Sequence, residues 1–141
     1  MARVLVIDDE PDVLLLCRIN LAHAGHEVLE ALDGETGLRL ARESQPDVIV
    51  LDLMLPAMDG YQILKALWDD ETTRALPVIV LTAKAQVEDQ IRSWQDGAVE
   101  FLTKPFPPDR LLDSVERVAK MTPEELAHRR EEVLDELGSD Q

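Results

Sequence analysis

Five side chains stand out as a chemical set: Asp8, Asp9, Asp52, Thr82 and Lys104. Each closes or follows a short apolar run. Residues 4–7 precede the two acids, 48–51 precede Asp52, 77–81 precede Thr82, and 100–102 lie just before Lys104. Three carboxylates brought together repel, and without a cation one of them is driven toward protonation. A hard divalent cation resolves the conflict. Mg²⁺ takes oxygen ligands, usually one or two carboxylates with waters and phosphate oxygens. A carboxylate is also a possible nucleophile, forming an aspartyl phosphate. Such a transfer needs little beyond positioning and neutralised charge, which Mg²⁺, Lys104 and the Thr82 hydroxyl could supply. Taken singly, these residues have plainer explanations: Asp9 and Thr82 as helix caps, Lys104 as a surface charge. The specific signal is their joint occurrence, each at the end of a β unit.

The runs that carry them are short, β-branched and continuous rather than alternating, as in strands covered on both faces of a parallel sheet. Pro11 opens a helix that Gly25 stops. Strands over 27–31, 48–51, 77–81 and 100–102 then alternate with helices over 35–43, 61–68, 85–96 and 108–121. Five strands and five helices in alternation imply an α/β domain with right-handed crossovers. For five units the flavodoxin-like order 2-1-3-4-5 is the natural candidate, and ligands bind such sheets beyond the C-terminal strand ends. That edge is where the five side chains fall.

Bulk composition narrows the function classes. A chain of 141 residues suits one compact domain. Its 29 Asp and Glu against 14 Lys and Arg give a net charge of −15. With no basic stripe, direct nucleic-acid binding is disfavoured. Cys17 is the sole cysteine and lies in an apolar run, so it reads as a buried structural thiol. No signal peptide and no span of about 20 apolar residues is present, and the chain reads as cytosolic.

The sequence resembles the receiver domain of bacterial two-component response regulators. The likeness is carried by Val4-Leu5-Val6-Ile7-Asp8-Asp9-Glu10, Asp47 through Pro56, Met58-Asp59-Gly60, Pro77 through Ala83, Gly97-Ala98 and Leu102-Thr103-Lys104-Pro105-Phe106. It covers residues 3 to about 120 and supports the flavodoxin-like (βα)5 fold and its strand order. The resemblance implies that Asp52 is the phosphoacceptor. It implies that Asp9 binds Mg²⁺ directly, Asp8 mainly through water, and that the Met54 carbonyl is a further ligand. Thr82 and Lys104 would bind phosphoryl oxygens, the Lys104–Pro105 bond would be cis, and Phe101 would be the switch aromatic. Read without the family, Phe101 is an ordinary core aromatic. The implied partners are a sensor histidine kinase or phosphotransfer protein, with a phosphorylation-dependent homodimer as one possible outcome. The surface expected to change is helix 4, strand 5 and helix 5.

Two other functions compete. A Mg²⁺-dependent phosphatase using Asp52 would place a second acid two residues on, where this chain has Met54. A non-phosphorylated interaction domain would show no labelling, and no glycine-rich phosphate loop points to nucleotide or flavin. Val99 stands where many relatives are acidic, adding apolar surface near the output face, and Phe101 lacks a tyrosine's hydroxyl. Met54 and Lys84 are long side chains positioned to shield a phosphoryl group from water. Trp68 and Trp94 read as packing residues, with Trp94 a fluorescence reporter of any switch.

Residues 1–121 are expected to form the receiver and 122–141 a charged C-terminal helix or linker, with no effector domain. Thr122-Pro123-Glu124-Glu125 makes a capping box, and Gly138 is an expected stop. Leu126, Val133, Leu134 and Leu137 form a thin apolar stripe among seven acids (Glu124, Glu125, Glu131, Glu132, Asp135, Glu136, Asp140) and two bases, Arg129 and Arg130. The helix is expected to be mostly solvated. The chain reads either as a stand-alone regulator or as part of a longer protein.

Overall fold

The computed structural model describes residues 1–55, 58–83 and 86–139. Five parallel strands form one sheet: β1 (Arg3–Ile7), β2 (Glu27–Ala31), β3 (Val48–Leu51), β4 (Val78–Thr82) and β5 (Ala98–Thr103). Their order is β2-β1-β3-β4-β5. The helices are α1 (Pro11–His23), α2 (Gly34–Ser44), α3 (Gly60–Asp69), α4 (Val87–Gln95), α5 (Pro108–Ala119) and α6 (Pro123–Ser139).

The continuous apolar strands are explained by two cores, one on each face of the sheet. Val4, Val6, Val48, Val50, Ile79 and Leu81 point to a core shared with Leu14, Cys17 and Leu21 of α1 and with Leu111, Val115 and Val118 of α5. Their neighbours Leu5, Ile7, Ile49, Leu51, Val78 and Val80 face Ala41 of α2 and Ile63, Leu64 and Leu67 of α3. Side chains alternate across a strand, so a strand with cores on both faces must be apolar at every position. Each fully buried Leu or Ile contributes about 1.5–3 kcal/mol. Cys17 is fully buried; burial is the main reason its thiol is pushed up to about 12, which fits the structural reading.

Several boundaries differ from the sequence reading by a residue or two, and three have a clear local context. β5 is longer than expected because it starts directly after Gly97, whose φ of +111° lies in the region that favours glycine. A Cβ there would also press into the Trp68 ring, at 2.6 Å. α4 runs from Val87, and Lys84 and Ala85 lie outside the described residues. Gly138 does not stop α6, which continues to Ser139. A lone glycine costs a helix only about 1 kcal/mol, and nothing in the sequence after it breaks the pattern. The expected capping box is present: the Glu125 N–H donates to Thr122 Oγ1 at 3.1 Å, and the Thr122 N–H donates to Glu125 Oε1 at 3.0 Å.

α6 is mostly solvated, as expected, but it is seated along one line. Leu126 is buried and joins the core on the α1/α5 side, while Val133, Leu134 and Leu137 are half-buried. The thin stripe is enough because Arg129 and Arg130 widen it, their stems covering apolar surface.

Candidate functional site

The parallel sheet delivers its strand ends to one edge. Asp8 follows β1, Asp52 follows β3, Thr82 closes β4, and Lys104 follows β5. Backbone bonds set their spacing. The Asp8 N–H donates to Ala31 O, the Asp52 N–H to Ile7 O, and the Lys104 N–H to Thr82 O at 2.9 Å. Thr82 and Lys104 are thus tied together through the main chain.

Side chains complete the cluster. Single carboxylate oxygens of Asp8, Asp9, Glu10 and Asp52 all lie within 4.8 Å of one another. Asp8 and Asp52 are buried, at 1% and 3% exposure, and Thr82 is fully buried. Lys104 Nζ sits among them, 2.9 Å from Asp52 Oδ2, Glu10 Oε1 and Asp8 Oδ2. Asp52 Oδ1 accepts the Met54 N–H at 2.9 Å, and Asp8 Oδ1 accepts the Glu10 N–H at 2.9 Å.

The electrostatics follow from burial and charge. Burial raises the Asp8 carboxyl above its ordinary value, and the Asp52 charge adds to this. The Glu10 N–H and Lys104 pull it back without winning. Burial alone would lower the Lys104 ammonium. Hydrogen bonds to Glu10 and Asp52, together with the adjacent Asp8 carboxylate, outweigh it, and its pKa stands above that of ordinary lysine. Lys104 is therefore a fixed cation serving several acids at once.

The donor set fits a hard divalent cation. Asp8 Oδ2 is buried and makes no hydrogen bond, although Lys104 Nζ stands close by, off the hydrogen-bonding direction. A buried carboxylate oxygen without a hydrogen bond is costly, and oxygen-only donors at this spacing suit Mg²⁺. Glu10 is the member that sequence reasoning missed. It was read only as part of the acidic run, but it pairs with Lys104; three consecutive acids after a strand were the available signal.

The remaining expected site residues are nearby. Met54 is 54% exposed, with its N–H on Asp52. Phe101 is half-buried, in register with Val80 of β4, and packs against the core on the α2/α3 side. The Lys104–Pro105 peptide is cis. Tyr61 of α3 donates its hydroxyl to Asp89 of α4 at 2.7 Å, joining the two helices beside the site.

The family model for the response regulator receiver domain matches residues 4–116. The chain belongs to this family. The receiver domain is 44% identical over 122 residues to the DNA-binding dual master transcriptional regulator RpaA of Synechocystis, covering 86% of this chain and 51% of that protein. It is 38% identical to protein PilH of Pseudomonas aeruginosa, covering 84% of this chain and 98% of PilH. The chain therefore spans about half the length of some curated relatives and nearly all of others. Among solved structures, the Francisella response regulator 1452 receiver domain aligns with a TM-score of 0.80 at 33% identity, covering 85% of this chain and 98% of that one. Vibrio cholerae chemotaxis protein CheY4 aligns with a TM-score of 0.79 at 34% identity, covering 84% and 98%. Among the described residues of the receiver domain, no helix is long and apolar enough to cross a membrane.

Proposed function

We propose that this receiver domain takes a phosphoryl group onto Asp52 from a phosphohistidine of a sensor kinase or phosphotransfer protein, in a Mg²⁺-dependent reaction. The loaded form would then present an altered α4–β5–α5 face to a protein partner or a second copy. Residues 1–121 would form the receiver, with 122–141 as an appended helix.

The observation that carries this reading is the meeting of four carboxylates and one ammonium at the C-terminal edge of the sheet. Asp8, Asp9, Asp52 and the Met54 carbonyl would hold the metal. Bound there, Mg²⁺ would neutralise charge on the transferring phosphoryl group. A carboxylate oxygen of Asp52 attacks phosphorus as the phosphorus–imidazole nitrogen bond breaks, and the released imidazole nitrogen takes up a proton from solvent. Lys104 already contacts Asp52 and would pair with a phosphoryl oxygen, with its charge secured by its acidic partners. The Thr82 hydroxyl would bond another. Phosphorylation adds close to two negative charges and three acceptor oxygens. Thr82, drawn toward them, would leave space that the Phe101 ring fills.

The test is incubation with acetyl phosphate and Mg²⁺, followed by intact mass. One phosphoryl addition is expected, abolished in Asp52→Asn and by chelation of the metal. Labelling that survives Asp52→Asn would refute the assignment. Size-exclusion of the same sample shows whether a dimer forms.

A further inference from the structure

α6 is seated by its two arginines. Arg129 Nε donates to the Val99 carbonyl at 3.2 Å, and its Nη2 meets Glu100 Oε2 at 2.9 Å. The same Glu100 oxygen also receives Arg117 of α5. The Arg129 guanidinium lies 5.8 Å from the centroid of the Trp94 ring on α4, and that of Arg130 lies 4.5 Å from the Trp68 ring on α3. Both distances are within cation–π range. These are the only Lys or Arg side chains of α6, and both turn inward. Its acids at 124, 125, 131, 132, 135 and 136 are exposed.

The seat is made by a local irregularity. In the β4–β5 ladder, Val78 pairs with Ala98 and Ile79 with Glu100, so Val99 has no register partner. Such a bulge leaves the extra residue outside the ladder, and the Val99 carbonyl serves Arg129 instead. Glu100 is a carboxylate at only 8% exposure. A charge so buried needs partners, and α6 supplies one of its two arginines.

We propose that the α4–β5 face is a helix-binding surface whose occupant in the unphosphorylated domain is the chain's own α6, and that loading of Asp52 releases it. The release rests on the phosphoacceptor reading above. Strand β5 connects the two sites. It holds α6 through Val99 and Glu100. Phe101 follows directly, Thr103 pairs in register with Thr82, and Lys104 contacts Asp52. A shift of β5 or α4 toward a phosphoryl group therefore moves the seat of α6. Packed interfaces respond to such shifts by changing between discrete arrangements rather than by stretching. The coupling is reciprocal: whatever loosens α6 favours the loaded state by the same free energy. A released α6 exposes an apolar stripe with two arginines and uncovers Trp94 and Glu100.

Hydrogen exchange of the full chain, read by mass spectrometry over residues 123–139, tests this. It is measured before and after acetyl phosphate with Mg²⁺, with the intact mass of each sample giving the extent of labelling. Labelled chains are expected to exchange α6 amides several-fold faster than unlabelled ones. The double variant Arg129→Gln, Arg130→Gln is expected to exchange α6 quickly before labelling and to show little further acceleration after it. A fully labelled wild-type chain with unchanged α6 exchange refutes the release and leaves the phosphoacceptor reading standing. A wild-type chain that takes no label overturns that reading and the release with it.

Discussion

Lys104 Nζ stands 2.9 Å from Asp52 Oδ2 and is only 14% exposed, so the Asp52 carboxylate carries a lysine counter-ion. The same ammonium also reaches Asp8 and Glu10. Removing it leaves two buried acids facing each other. Breaking a buried pair on one side costs about 3–5 kcal/mol, and partial exposure of Lys104 reduces this to about 2–4 kcal/mol. Lys104→Met should therefore unfold at lower urea without metal, and saturating Mg²⁺ should restore most of the loss. The variant should also bind Mg²⁺ more tightly, because a competing cation has gone. Urea curves with and without Mg²⁺ check both; a Mg²⁺-independent deficit would mean that Lys104 serves packing rather than charge.

Gly60 is required by a close approach rather than by backbone conformation. A Cβ there would lie 2.2 Å from the Leu53 Cα, and the Gly60 N–H already donates to Leu53 O at 3.0 Å. Backbone cannot yield as a flexible side chain can. Gly60→Ala should destabilise the domain by about 1–3 kcal/mol, the usual cost of overpacking. Leu53 follows Asp52 in sequence, so phosphoryl uptake should slow as well. Chemical denaturation and labelling rates measured together check this, and wild-type stability would show that the contact relaxes freely.

The fold was legible because every level of the sequence agreed. The apolar runs of β1, β3 and β4 admit one reading, a strand buried on both faces, and the punctuation at Pro11, Gly25 and Gly97 marks the units. The site was legible because in a parallel sheet strand ends are functional positions, so Asp8, Asp52 and Lys104 could be placed together from order alone. Glu10 escaped because its role depends on where the Lys104 side chain reaches, which spacing does not encode. The docking of α6 escaped for a similar reason. Leu126, Val133, Leu134 and Leu137 are too few to announce a buried face. The contribution of Arg129 and Arg130 depends on Trp94, Trp68 and Glu100, which are distant in sequence.

Asp33 caps α2, its carboxylate accepting the Thr36 N–H at 2.8 Å and the Thr36 hydroxyl at 3.1 Å. These bonds, the backbone one first, hold its pKa below the ordinary aspartate value. A lowered folded-state pKa means that the charged form is favoured by folding. The stabilisation is complete above about pH 4, and it is lost as pH falls through the lower folded value. Asp33→Asn keeps a capping acceptor but removes the charge. The variant should therefore be slightly less stable than wild type at neutral pH, with the difference closing as pH falls through the lowered folded-state pKa of Asp33. Denaturation midpoints across that range check the sign, and a gap that widened in acid would contradict it.

Met54 combines a large apolar side chain, 54% exposed, with a backbone N–H bonded to Asp52, the proposed phosphoacceptor. An exposed methionine gains little from burial, so its replacement can be read for function with little effect on folding. An acyl phosphate is lost when water reaches phosphorus, and a flexible thioether beside Asp52 can occupy the approach. Lys84, the other side chain considered for this shield, lies outside the described residues, so the contribution of Met54 is tested alone. Met54→Ala should leave stability nearly unchanged and shorten the lifetime of the label several-fold, on the order of 1 kcal/mol in barrier. Met54→Leu, which keeps the bulk, should restore it. The decay of the phosphorylated mass after removal of acetyl phosphate measures this directly, and equal decay in all three proteins would reject the shield.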